Sequence, residues 1–284
     1  MRSDTESPTV YWVVGNGSEA GKTTVAAAFI RELNAQGRRT VGFKPYSSMR
    51  LQNAVDMMVE RYPASQCKLF GNDAWELAEA SPLTDVDMAD LIVPVQILCH
   101  PGWRSVVLMR TGAAALGNVE YVTNALGAKL RQRADIRELI AKTGLAFDAA
   151  LLRDSLEVED VPRLSPEKPD LAYRRLLQLG VDAVVVEGAG DWLPIWRGGP
   201  AVNHLVLLAS GEITFVPDID LRIEQDPVAG LPGVGALNGV ARHRKPARFS
   251  APLYLAERGR RDIVLQATAR GLLDQARRLR KSAG

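Results

Sequence analysis

Gly15-Asn16-Gly17-Ser18-Glu19-Ala20-Gly21-Lys22-Thr23-Thr24 places a lysine and two hydroxyls directly behind a glycine-rich stretch. That order of residue types suits phosphate. Glycines let the backbone close around an anion with its N–H groups pointing inward. The lysine reaches the outer phosphates and the first threonine hydroxyl holds magnesium. Lys22 and Thr23 take those two roles, with Gly17, Ser18, Glu19, Ala20, Gly21 and Thr24 around the phosphates. The common motif, G-x-x-x-x-G-K-[ST], calls for glycine at position 16. Asn16 stands there instead, which points to a subclass of the loop.

Two further residues sit where they can act on the same phosphates. Glu187 follows the apolar run Ala183-Val184-Val185-Val186 and precedes Gly188-Ala189-Gly190. A carboxylate is a hard oxygen ligand for magnesium, and the small residues beside it let backbone approach a ligand closely. Lys44 lies between Phe43 and Pro45. The proline biases it toward extended backbone, and a cation there would neutralise charge developing on a transferred phosphoryl group. Alone, Lys44 reads as a solvated surface lysine, whereas Glu187, with small residues after it, reads as a ligand in preference to an ordinary acid ending a strand.

The elements that must position these residues follow from periodicity. Val10 to Val14 reads as a buried strand, and Val25 to Leu33 as a helix stopped near Gly37. Val41 to Phe43 is a short second strand, which completes a βαβ unit. Residues 51–61 and Ala74 to Ala80 have helical spacing, and Val106 to Met109 reads as a strand. Val119 to Lys142 reads as one long helical stretch weakened at Gly127, residues 154–169 as an acidic connector, and Leu171 to Leu179 as a helix. The run ending at Val186 is continuously apolar, as strands buried on both faces are. His204–Leu208, Ile213–Val216, Val234–Leu237 and Pro252–Leu255 are further strand candidates, and Asp262 to Lys281 is a closing helix. Alternating strands and helices argue an α/β fold: one doubly wound, mostly parallel sheet in a single domain over 1–284, with a helical insertion at 100–165. Ligands of such sheets bind outside the carboxyl ends of the strands. The loop, Lys44 and Glu187 all occupy such ends.

Composition narrows the partners. Thirty-five Lys and Arg against 33 Asp and Glu leave no net charge suited to a broad nucleic-acid surface. The basic residues gathered between Arg242 and Lys281 read as a solvated helix face and tail. Cys67 and Cys99 form no disulfide framework, and no apolar run reaches membrane-spanning length. These features predict a cytoplasmic protein that engages neither nucleic acid nor membrane. His204 and His243 lack metal-ligand spacing, and His100 reads as structural. Trp192 and Trp196 read as packing, and Asp218 and Asp220 either cap a segment or touch a nucleotide.

Four segments together resemble the dethiobiotin synthetase family and the related nucleotide domains of cobyric and cobyrinic acid amidases. They are Gly15 to Thr24, Phe43-Lys-Pro-Tyr-Ser-Ser48, Gly71-Asn-Asp-Ala74 and Val185-Val-Glu-Gly-Ala-Gly190. The resemblance implies a P-loop fold that uses ATP and magnesium. It implies that Lys22 and Thr23 serve the triphosphate and its metal, and that Lys44 meets the γ-phosphate and a nascent carbamate. Ser48 would be the hydroxyl beyond it, and Asp73 and Glu187 would complete the metal site. Gly188, Ala189 and Gly190 would border the nucleotide, and Asn238 would read the adenine. It also implies a homodimer and a small amine or carboxylate acceptor, with carbon dioxide or bicarbonate entering as a carbamate.

The departures bear on the acceptor. Asp191-Trp192 follows Gly190 where the family often has glycine, so a new carboxylate sits beside the phosphates. The stretch between Lys44 and Asp73 is long, which leaves Asp56 and Glu60 as alternatives to Asp73. No glutaminase domain is legible, so a complete amidase is not expected. A switch-type nucleotide ATPase and a plain small-molecule kinase are the competing classes. The former often carries an extra lysine early in the loop, and none lies between Gly15 and Gly21.

Overall fold

A computed structural model of the chain describes residues 7–17, 20–51, 69–82, 88–100, 105–143, 150–153, 156–209, 212–222, 237, 247–250 and 258–283. Strand β1 (Thr9–Gly15) runs into helix α1 (Lys22–Ala35), and the chain returns through β2 (Thr40–Phe43). The turn between α1 and β2 is held locally. The Asn34 side-chain amide accepts from Thr40 N at 2.8 Å and donates to Thr40 O at 3.0 Å.

Next come β3 (Tyr46–Arg50), α2 (Asn72–Ala80), the single turn α3 (Ala89–Ile92), β4 (Val95–Cys99) and β5 (Val106–Thr111). They are followed by β6 (Glu120–Asn124), α4 (Ala125–Leu130), α5 (Ala134–Thr143), β7 (Leu151–Arg153), α6 (Val161–Leu164) and α7 (Lys168–Leu177). β8 (Ala183–Glu187), β9 (His204–Ala209), β10 (Glu212–Val216), β11 (Ala247–Ser250) and the long helix α8 (Arg258–Ala283) complete the described chain.

The strands form two mixed sheets, not one. The first is six-stranded in the order β11-β10-β9-β1-β8-β2, and the second five-stranded in the order β3-β4-β5-β6-β7. In the first, β9, β1, β8 and β2 are mutually parallel, and β10 and β11 add antiparallel at one edge. The central strand β1 is buried on both faces. Tyr11 and Val13 enter the core shared with α1 and α8, while Val10, Trp12 and Val14 enter the core on the other face. Strand alternation produces that division.

Four sequence expectations change. The α/β class stands, but the single mostly parallel sheet becomes two mixed sheets. The 100–165 segment is not chiefly a helical insertion, because it supplies β5, β6 and β7 to the second sheet. The expected long helix over 119–142 is instead β6 followed by two short helices. Asn124 breaks the stretch: its backbone is extended and its side chain caps α4, accepting from Gly127 N at 2.8 Å. The connector at 154–169 is partly helical, through α6 and the start of α7. Residues 52–61, most of the 234–237 run and all of 252–255 lie outside the described residues, as do Ser18, Glu19, Asp56, Glu60, Cys67, Asn238 and His243. Among the described residues no helix is long and apolar enough to cross a membrane.

Candidate functional site

Strand order brings the chemistry together. β8 lies between β1 and β2, with Val13 opposite Glu187 and Phe43 opposite Val186. The loop after β1, Glu187 at the end of β8 and Lys44 just after β2 therefore share one edge of the sheet. The loop enters α1 through Gly21, whose φ of 78° is in the left-handed region that glycine adopts without strain. The Glu187 side needs glycine for a different reason. A Cβ on Gly188 would lie 2.3 Å from the Trp192 carbonyl oxygen, so only glycine lets the chain fold back there.

Lys22 is buried, with 5% exposure. Its ammonium donates to the carbonyls of Gly17 and Gly190, the latter at 2.6 Å, and so bridges the two loops. Thr23 Oγ1 lies 2.9 Å from Glu187 Oε1 and 3.1 Å from Asp73 Oδ1. The Lys44 ammonium sits between the same acids, 2.6 Å from Asp73 Oδ2 and 2.7 Å from Glu187 Oε1. Asp73 stands in the first turn of α2, where the helix dipole favours a carboxylate.

Charge within this cluster is shifted in a consistent way. Burial and the neighbouring Lys44 lower the Lys22 pKa to about 8, against the pull of Glu187, Asp73 and Asp191. Burial also works against a charged Lys44, but Asp73 and Glu187 outweigh it and hold its pKa above the usual lysine value. Burial opposes the charge on Asp73 too, and there Lys44, Thr23 and Ser47 prevail and lower its pKa. Glu187 goes the other way: burial and the nearby Asp73 raise it despite Lys44 and Thr23. Burying an ion costs several kcal/mol unless a close partner offsets it. Lys44 is the partner that lets two acids approach one point.

Some sequence-selected residues lie elsewhere. Ser48 is not brought into the cluster, because alternation along β3 turns it away. The neighbouring Ser47 donates to Asp73 Oδ2 at 3.1 Å. Trp196 is core, packed on Phe43 and Tyr173 with ring centroids 5.1 and 5.2 Å away. His204 is buried at the opposite end of β1, beside Tyr11. Cys99 is buried in β4.

Besides Ser47, sequence reasoning passed over Gln96, which is wholly buried in β4. Its side-chain oxygen accepts from Gly71 N at 3.0 Å, and its amide nitrogen donates to Ser47 O at 3.3 Å. It thereby fixes the segment leading into Asp73 against the strand carrying Ser47. A lone glutamine inside the apolar run Val93-Pro-Val-Gln-Ile-Leu-Cys99 is the signal by which the sequence marks it.

Fold and site together define an α/β protein with two mixed sheets, which gathers two lysines, two carboxylates and two hydroxyls at one edge of its larger sheet. No protein-family model matches the chain, and no curated protein matches it.

Proposed function

We propose that this protein is a P-loop, ATP- and magnesium-dependent ligase of the dethiobiotin synthetase type, which activates a carbamate or carboxylate by γ-phosphoryl transfer. The observation that carries this reading is the position of Lys44 between Asp73 and Glu187, on the same two carboxylates that the Thr23 hydroxyl touches. A lysine tied to the metal-binding acids, beside a phosphate loop, suits a reaction in which negative charge collects on a phosphoryl group.

The donor set fits magnesium. Two carboxylates and a hydroxyl are hard oxygens, and an octahedral ion has positions left for phosphate and water. Glu187 Oε2 is buried with no hydrogen-bond partner among the described residues, so it has a lone pair to give. Thr23, Asp73 and Glu187 would hold the ion, which draws charge from the phosphate oxygens when bound. No three or more His, Cys, Asp or Glu side chains group to hold a metal among the described residues.

The chain's own groups account for the rest. Lys22 exchanges the carbonyls of Gly17 and Gly190 for phosphate oxygens. The acceptor oxygen is already an anion, so no base is needed to activate it. It attacks the γ-phosphorus, and the new O–P bond forms as the bond to the β–γ bridging oxygen breaks. ADP leaves with that electron pair, and Lys44 neutralises the charge on the transferring group. An amine then attacks the mixed anhydride and phosphate leaves. Asp191, whose charge opposes the lowering of the Lys22 pKa, borders the acceptor side. A cytoplasmic homodimer acting on a small amine or carboxylate belongs to the same proposal.

The test is ADP formation across a panel of diamines with bicarbonate and of carboxylates with ammonia. Turnover that depends on one acceptor class is the expected result. Indifference to every acceptor would remove the basis of the proposal. A stable phosphorylated acceptor would mark a kinase, and hydrolysis that needs a protein partner would mark a switch ATPase.

A further inference from the structure

A second chemically distinctive place lies at the other end of the larger sheet. A cavity of about 310 Å³ opens at the amino ends of β1 and β9, between the end of α1 and the face of α8. Thr9, Tyr11, His204, Phe215, Arg38 and Arg277 are among its walls. α1 separates it from the phosphate loop, and a helix of that length spans roughly 20 Å.

Three observations about this cavity point the same way. The first is charge. Arg38 is half-buried, and its acceptors are three neutral oxygens: Thr9 Oγ1 at 2.7 Å, Asp182 O at 3.1 Å and Tyr11 Oη at 3.2 Å. Among the described residues no carboxylate pairs with it directly, and Asp218 is the one acid among the cavity walls. Arg277 adds a second guanidinium, shared with Gln36 and with Asp274 at 3.4 Å. An arginine's five donors form a fork suited to an oxyanion, and three neutral bonds do not exhaust it.

The second is shape. Tyr11 and Phe215 lie near-parallel, 17° apart with ring centroids at 6.5 Å, and the His204 ring is tilted against both at 4.6 and 5.6 Å, so the inner wall of the cavity is an aromatic cluster. The third is strain. Asp218, on the rim, has φ of 54°, and Asp220 has φ of 40°, a region uncommon for non-glycine residues though entered by aspartate more readily than by most. Asp218 N donates to His204 Nδ1 at 3.2 Å, and Ile219 N to Asn203 O at 3.0 Å. The fold thus spends hydrogen bonds to keep a strained segment at the mouth of a cavity, and strain of that kind collects at ligand sites.

We infer that this cavity binds a small organic anion, with its oxyanion group on Arg38 and Arg277 and its flat apolar body along Tyr11 and Phe215. The Asp218 carboxylate on the rim directs the charged end toward the arginines. The site is separate from the proposed phosphoryl-transfer centre and stands whether or not that reaction is the right one.

The experiment is an NMR titration of the full chain with benzoate, with inorganic phosphate and benzyl alcohol as the two halves of the probe. Only three histidines are present, so the His204 imidazole signals are readily assigned by loss in His204→Gln. Saturable movement of those signals with benzoate is expected, with weaker effects from phosphate or benzyl alcohol. Arg277→Gln and Arg38→Gln should each weaken binding roughly tenfold, while Lys22→Met leaves it unchanged. Arg277 is largely exposed, so its variant decides the matter should Arg38→Gln fail to fold. Unmoved His204 signals, equal binding of benzyl alcohol, or undiminished binding by the Arg277 variant would each overturn the inference.

Discussion

The Lys44 ammonium lies 2.7 Å from Glu187 Oε1, and the two side chains are 5% and 1% exposed. The lysine comes from the end of one strand and the acid from the end of its neighbour, so sheet order alone makes the pair. Together with Asp73, the ammonium occupies the point on which the candidate metal ligands converge. Lys44 therefore competes with a cation for the same oxygens.

We predict that Lys44→Met strengthens metal binding to the nucleotide-free protein while it cripples turnover. Without the ammonium, two neighbouring carboxylates face each other and a divalent ion relieves them. Manganese binding followed by electron paramagnetic resonance should tighten on the order of tenfold. The turnover number should fall by roughly 100- to 1,000-fold, as when a charge-stabilising group is lost. Unchanged manganese affinity would show that the lysine does not guard the site.

Nucleotide binding should take up a proton in mildly alkaline solution. The Lys22 pKa is about 8 in the unliganded protein, and phosphates beside it would raise that value. Affinity then holds steady below pH 8 and declines as pH rises from there toward the bound-state pKa. Calorimetry at pH 9 in buffers of different ionisation enthalpy should register the uptake, and at pH 6.5 it should not. Lys22→Met should abolish the difference.

Gly188→Ala tests the tight return after β8. The new methyl would meet the Trp192 carbonyl oxygen at 2.3 Å, a clash with backbone that no rotamer change relieves. Overpacking of this kind costs about 1–3 kcal/mol. Urea denaturation should show a lower midpoint with an unchanged slope.

Gln96→Leu should remove both partners that hold Gly71 and Ser47. Each buried group left without a hydrogen bond costs about 1–3 kcal/mol. Stability should fall, and the turnover number should fall with it because Asp73 and Ser47 lose their mutual register. Gln96→Glu keeps the acceptor for Gly71 N and should recover part of the activity. Full activity in Gln96→Leu would make the residue a packing element only.

Acid stability should depend on the tie between α1 and α8. Glu32 is buried, and burial works to raise its pKa, but hydrogen bonds from Arg270 and Gln36 and the Arg270 charge lower it below the ordinary 4.5. Arg270 donates to both carboxylate oxygens, at 3.0 and 3.1 Å. A depressed carboxylate stabilises the fold above its unfolded-state pKa, and that contribution disappears as pH falls through the folded value. Arg270→Ala should therefore lower the Tm near neutral pH, and the gap from the unaltered protein should close as pH falls through the depressed folded-state pKa of Glu32.

What the sequence determines here is local. Val10 to Val14 and Ala183 to Val186 are legible as strands because continuous apolar runs must be buried. The start of α1 is legible because Gly21-Lys22-Thr23-Thr24 meets a helical apolar pattern. Lys44 and Glu187 are legible as strand-end residues of the right chemistry. Of the second sheet only β5 is legible, as Val106 to Met109, since β6 and α4 share an apolar spacing that reads as one helix until the Asn124 cap divides it.

Only the tertiary structure decides which strand ends are neighbours. A strand's pattern states that both its faces are covered, not by what, so no local signal seats β8 between β1 and β2. The same holds for Ser47 over Ser48, where one residue of strand phase decides which hydroxyl meets Asp73. Gln96 belongs to this class as well: its two partners lie 25 and 49 residues away, and only folding supplies them.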